Sequence, residues 1–173
     1  KEDISTGSLA AANGGFTGVM TMPNTTPPID NAAIVAENAA RSKGNIVDVY
    51  QSACATEGRK GSKLADLKSL VEAGVLAITD DGSPIADDKI MKETLEVTAK
   101  LGVPVVQHCE IMSITNGGIM NEGEVSRRLG VKGISNASEH EIIARDIELT
   151  RQTPGAHYHI QHISTKEAVD LVR

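Results

Sequence analysis

The sequence predicts an α/β fold built on a parallel sheet, and three observations carry that prediction. Five apolar, β-branched runs alternate with segments of helical periodicity along the whole chain. Hydrophobic residues make up 40% of the 173 residues while aromatics make up only 2%. The core must therefore be Val, Ile, Leu and Ala, which suits parallel strands covered by helices. Strands that alternate with helices also imply right-handed βαβ units. A doubly wound sheet is the usual alternative, but neither GxGxxG nor GxxxxGK[ST] follows the first run, so dinucleotide and P-loop readings lose their main support. About five strands are too few to close an eight-stranded barrel, which needs about 250 residues.

The elements follow in order. Phe16 to Met22 reads as the first strand, after the Gly14-Gly15 break. Ile34, Val35 and Asn38 then show helical spacing behind the cap candidates Asp30 and Asn31. Asn45 to Ala55 is the second strand, carrying Ile46, Val47, Val49 and Tyr50. Leu64, Leu67, Leu70 and Val71 predict the next helix and Val75 to Thr79 the third strand. Ile90, Met91, Thr94, Leu95 and Leu101 mark another helix, and Val103 to Cys109 is the fourth strand. The stretch from Ile111 to Ser135, rich in Gly and Asn, reads as one long irregular loop, a feature that is usually functional or mobile. Ser138 with Glu141, and Ser164 with Glu167, have capping-box spacing, and Ala156 to Ile163 between them is the fifth strand.

Charge and punctuation exclude several classes. With 17 basic against 23 acidic residues the net charge is −6, which argues against a nucleic-acid or acidic-membrane partner. No 18-residue apolar run and no signal peptide is present, so the expected location is cytoplasmic. Cys54 and Cys109 fit no CxxC spacing and read as reduced, ordinary thiols.

Polar residues at the ends of the apolar runs carry the chemistry. His108 and His162 each close a strand, and Asp81 follows another in Thr79-Asp80-Asp81-Gly82. A strand-end His alone is equally a cap on a backbone group, and paired acids before Gly alone make a turn. Two imidazoles and a carboxylate at the ends of parallel strands together suggest a zinc-type metal site. Neighbouring residues on a strand face opposite ways, so only one of Asp80 and Asp81 can enter it, and Cys109 should face away from His108. The same rule sets His157 and His159 apart from His162 and puts those two on the helix-facing side, unless a bulge intervenes. Asn24, in Met22-Pro23-Asn24-Thr25, is an amide held beside a proline, suited to a carboxylate or amide of a small ligand.

These motifs resemble a known family. Gly14-Gly15-Phe16-Thr17 running to Met22-Pro23-Asn24-Thr25, then Thr79-Asp80-Asp81-Gly82, His108-Cys109-Glu110, Asn121-Glu122-Gly123 and His162-Ile163-Ser164-Thr165 follow the order seen in class I dihydroorotases of the amidohydrolase superfamily. The resemblance covers essentially the whole chain. It implies a partial (β/α)8 TIM barrel, with residues 1–173 as the central part of one metal-dependent barrel domain. It implies one or two zinc ions per complete site, and the reversible cyclisation of N-carbamoyl-L-aspartate to dihydroorotate in pyrimidine synthesis. By the same resemblance His108 and His162 hold a metal. Asp81, 27 positions before His108, takes the bridging position as ligand and catalytic carboxylate, and Asn24 binds the substrate carboxylate. The expected partners are a small-molecule substrate and either a homo-oligomer or a complex with aspartate transcarbamoylase.

Departures from the family pattern qualify these expectations. The family's His-x-His-x-x-Arg strand and its downstream general acid/base Asp are not found between Lys1 and Arg173, so this stretch alone is expected to be inactive. Ile111 stands where an acid commonly follows His-Cys-Glu, and Ser135 where Pro is common. Two alternatives are a hydantoinase- or allantoinase-like cyclic amidohydrolase, which usually carries a carboxylated lysine in place of Asp81, and a non-catalytic homologue that serves aspartate transcarbamoylase as a structural partner.

Overall fold

The structure, a computed structural model, describes residues 2–173. Helix α1 (Ile4–Asn13) comes first, started by Asp3, whose carboxylate accepts the Thr6 N–H. Strand β1 (Gly18–Thr21) leads to α2 (Ala32–Ser42), where Asn31 caps by accepting the Ile34 N–H. Strand β2 (Asp48–Ala53) is followed by a single 3₁₀ turn at Glu57–Arg59 and by α3 (Leu67–Glu72), capped by Asp66. Then come β3 (Ala77–Ile78) and α4 (Asp88–Leu101), which Asp87 starts and Gly102 ends in the left-handed region at φ 72°. Strand β4 (Val105–Gln107) opens the second half. It continues through α5 (Met112–Thr115), β5 (Met120–Asn121), α6 (Glu124–Leu129), β6 (Gly133–Ile134), α7 (Ala137–Arg151), β7 (Tyr158–Ile160) and α8 (Lys166–Val172).

Five strands form one parallel sheet in the order β1-β2-β3-β4-β7, with helices as the crossovers. At about 4.8 Å per strand, a flat sheet would hold its edge strands roughly 19 Å apart. Instead the Gln161 amide lies 3.5 Å from the Met22 sulfur, joining the C-terminal ends of the two edge strands. The sheet is therefore strongly curled, a half-barrel with helices on its convex side. The five parallel strands and the covering helices agree with the sequence prediction.

The core is aliphatic. Val35, Leu70, Ile78, Met91, Leu95 and Val105 are fully buried in one cluster between the sheet and α2–α4. A second cluster, with Ile142, Ile143 and Ala168, seals β4 and β7 against α7 and α8. Under β4 lies a polar brace. Asp146 of α7, fully buried, accepts from Arg145, from the Gln107 amide at 3.1 Å and from the Tyr158 hydroxyl at 3.0 Å. Burial raises the Asp146 carboxyl above the ordinary range despite these donors.

Several sequence expectations need correction. The strands are shorter than the apolar runs, because flanking positions such as Ile46 turn to solvent. Helix α1 carries no strong apolar stripe, so no periodicity in the sequence marks it. The region from Ile111 to Ser135 is not structureless: it holds α5, α6 and the small parallel pair β5–β6. Ser138 does not cap α7. It lies buried inside the helix, its hydroxyl bonded to that of Thr115. The cap of α8 is Thr165 rather than Ser164, since the Thr165 hydroxyl receives the Ala168 N–H. His157 and His159 do not face the helices: Tyr158 and Ile160 do, and the two histidines that alternate with them are exposed.

Candidate metal centre

The site lies where β3, β4 and β7 end. Asp81 is the fourth residue of the run Ile78-Thr79-Asp80-Asp81 leaving β3, and its N–H donates to the Thr79 hydroxyl at 3.0 Å. Its neighbour Asp80 turns away, toward the end of β2. There it is 1% exposed and accepts from the Ala55 N–H at 2.9 Å, the Thr56 N–H at 3.2 Å and the Thr56 hydroxyl. Burial raises its pKa, and those three donors oppose the rise. The two adjacent acids thus divide the work: one anchors a neighbouring loop, the other faces the site. Gly82, at φ 82°, follows; a Cβ there would crowd the Arg59 guanidinium at 3.2 Å and the Asn24 amide at 3.4 Å.

His108 arrives by plain alternation. Gln107 points into the helix layer to Asp146, so His108 points to the opposite face and Cys109 back to the helix side. There the Cys109 thiol meets the Tyr158 hydroxyl at 3.3 Å, and burial pushes its pKa up to about 12. Neither Cys109 nor Cys54, likewise pushed up to about 12 by burial, belongs to the site. His162 arrives differently. Its parity would match Tyr158 and Ile160, but its own backbone sits at φ 34°, a left-handed conformation that swings the ring round to His108. A twisted residue, not a bulge, resolves the parity problem.

The donor atoms converge. His108 Nδ1 lies 3.0 Å from His162 Nε2, and Asp81 Oδ1 lies 3.7 Å from the first and 4.0 Å from the second. All three lie within 4.8 Å of one another. An ion about 2.1 Å from each donor in a tetrahedral array sets the donors about 3.4 Å apart, so this spacing and the two-nitrogen, one-oxygen chemistry fit a zinc-type ion. Asn24 joins them: its amide donates to Asp81 Oδ2 at 3.0 Å.

Sequence reasoning missed one participant. Glu110 accepts from His108 Nε2 at 2.8 Å and from the Thr115 hydroxyl at 2.8 Å. Burial raises its pKa, but the bonds from Thr115 and His108 outweigh that and leave it below the usual range. An ionised carboxylate only accepts, so Nε2 carries the proton, and in the neutral ring Nδ1 then carries the lone pair that faces Asp81 and His162. A carboxylate behind a histidine is the common support of a metal ligand. The i, i+2 spacing of His108 and Glu110 was the available signal, because it puts both on one side of an extended chain.

Comparison with known proteins gives the family and the fold. A family model described as dihydro-orotase-like matches residues 1–168. The dihydroorotase of Aquifex aeolicus is 46% identical over 173 residues, which cover 99% of this chain and 40% of that protein. The dihydroorotase of Pelotomaculum thermopropionicum is 43% identical, covering 100% of this chain and 40% of that protein. The chain therefore spans about two-fifths of the length of these curated relatives. Among solved structures, an L-hydantoinase (dihydropyrimidinase) from Arthrobacter aurescens superimposes with a TM-score of 0.74 at 19% identity, over 98% of this chain and 39% of that one. A dihydroorotase from Campylobacter jejuni does so with a TM-score of 0.65 at 18% identity, over 97% and 45%. At such identities the structural likeness speaks for the barrel fold alone. Among the described residues, no helix is long and apolar enough to cross a membrane.

Proposed function

The chain belongs to the dihydro-orotase-like family, and from that premise we propose that it is the central part of one metal-dependent amidohydrolase barrel domain. On this reading the whole protein is a cytoplasmic dihydroorotase that interconverts N-carbamoyl-L-aspartate and dihydroorotate. The observation that carries the reading is the convergence of Asp81, His108 and His162 within 4.8 Å in a chain whose curated relatives, at 42–46% identity, are named dihydroorotase.

The three residues would hold zinc, with Glu110 fixing the His108 tautomer. When bound, such an ion supplies Lewis-acid activation of an amide carbonyl and of water. Asp81 contributes the negative charge of the donor set. Asn24, whose amide already reaches Asp81, orients the substrate carboxylate beside it. The substrate is a small molecule; a homo-oligomer or a complex with aspartate transcarbamoylase belongs to the same proposal.

The test is an activity screen of the complete gene product on dihydroorotate, hydantoin and allantoin, with metal analysis of the same sample. The proposal expects zinc and turnover of dihydroorotate well above the other two. Preferred turnover of hydantoin or allantoin would move the protein to that branch. Absence of zinc and of turnover would favour a non-catalytic role.

A further inference from the structure

We infer that Glu139 is the positioning residue for His162, an inference that rests on the metal-site reading above. His162 needs an external hold. Its backbone is left-handed, a conformation unfavourable for a non-glycine residue that persists only where the surroundings enforce it. Its side chain is 52% exposed, so packing does not fix the ring.

The hold lies two residues further on. The Ser164 N–H and hydroxyl donate to one Glu139 oxygen at 2.8 and 3.2 Å, and the Thr165 N–H and hydroxyl donate to the other at 2.9 and 2.6 Å. An ionised carboxylate has about four acceptor positions, and two consecutive residues fill them. Glu139 is itself 8% exposed, anchored on the first turn of α7. From β5 the Asn121 amide adds bonds to the Ser164 carbonyl and hydroxyl at 3.3 and 3.2 Å. A small cavity lined by His108, Glu110, Glu139 and His162 joins the clamp to the donor set. With Ser164 and Thr165 pinned, the chain between Ile160 in β7 and the start of α8 has little freedom, and His162 is held in the turn that brings Nε2 to His108. Without the carboxylate, two backbone N–H groups lose their acceptor and His162 can relax out of the left-handed region.

The consequence is specific: Glu139 should matter to the metal only through His162. The experiment titrates cobalt(II) into the complete gene product and into its Glu139→Gln, His162→Ala and doubly substituted forms, reading the visible absorption of the bound ion. Thermal melts of each form check folding. The expected result is a loss of cobalt affinity of about 10–100-fold for Glu139→Gln alone, the range for groups that support a ligand, and essentially no further loss when His162 is already Ala. Unchanged affinity in Glu139→Gln overturns the inference, as does an equal loss in both backgrounds. If Glu139→Gln fails to fold, Ser164→Ala, which removes an exposed hydroxyl from the clamp, carries the same comparison; unchanged affinity there overturns the inference. A parent protein that takes up no cobalt overturns the metal-site reading itself, a result distinct from cobalt uptake that is indifferent to Glu139.

Discussion

His108 at the end of β4 and His162 at the end of β7 present nitrogens 3.0 Å apart, yet the chain delivers them by opposite means. His108 follows an unbroken, fully buried strand, with Gln107 tied to Asp146 on one side and its own ring tied to Glu110 on the other. Its side chain is 18% exposed, like that of Asp81 at 16%. His162 lies past the last strand of the sheet, at 52% exposure and φ 34°, and it is steadied from a distance by Glu139. One imidazole is placed by regular secondary structure and packing, the other by a local backbone departure and a polar clamp. The first kind of placement is stiff, whereas the second depends on a few hydrogen bonds at the surface and is the softer side of the site.

The contrast is breakable. The largest effect should come from His108→Ala in the complete protein, with a loss of zinc affinity above about 100-fold, beyond what supporting groups give. His162→Ala should cost less, because the softer ligand is the easier one for solvent to replace. Equal losses would mean that stiffness of placement does not matter to the site. Metal competition with a chromophoric chelator measures both.

Asp80→Ala should act on stability. It strips the acceptor from two buried N–H groups and one hydroxyl at the end of β2, which at about 1–3 kcal/mol for an unsatisfied buried donor lowers the midpoint of a denaturant melt clearly. A silent Asp80→Ala would show that the buried acid is not the anchor described. Glu110→Gln should come next, with about a 10-fold loss of metal affinity and an intact fold by circular dichroism. An intact affinity would remove Glu110 from the stiff side. The smallest effect on metal belongs to Asn24→Ala, which should keep zinc within about 2-fold while KM for dihydroorotate rises, the pattern of lost substrate binding. Joint loss of zinc and kcat would mean that the Asn24 bond to Asp81 supports the metal instead.

What could be read in advance follows the same division. The parallel sheet was legible because aliphatic runs and helical spacings alternate plainly, and the Asn31 cap because its side chain acts within one turn. That Asp80 and Asp81 must point different ways follows from strand geometry alone. The turn at His162 was not legible, since no glycine or asparagine marks it and a left-handed histidine leaves no pattern in the sequence. Glu139 was equally hidden: it acts on residues 25 and 26 positions away, and its own surroundings read as an ordinary helix. The inner structure of Ile111 to Ser135 escaped because two-residue strands and helices of four to six residues are too short for periodicity to show.

The most direct measurement is an anomalous-difference map at the zinc edge from crystals of the complete protein grown with zinc. A peak is expected about 2.0–2.2 Å from His108 Nδ1, His162 Nε2 and a carboxylate oxygen of Asp81. Zinc bound elsewhere, with these three side chains left in contact only with one another and with Asn24, would contradict it.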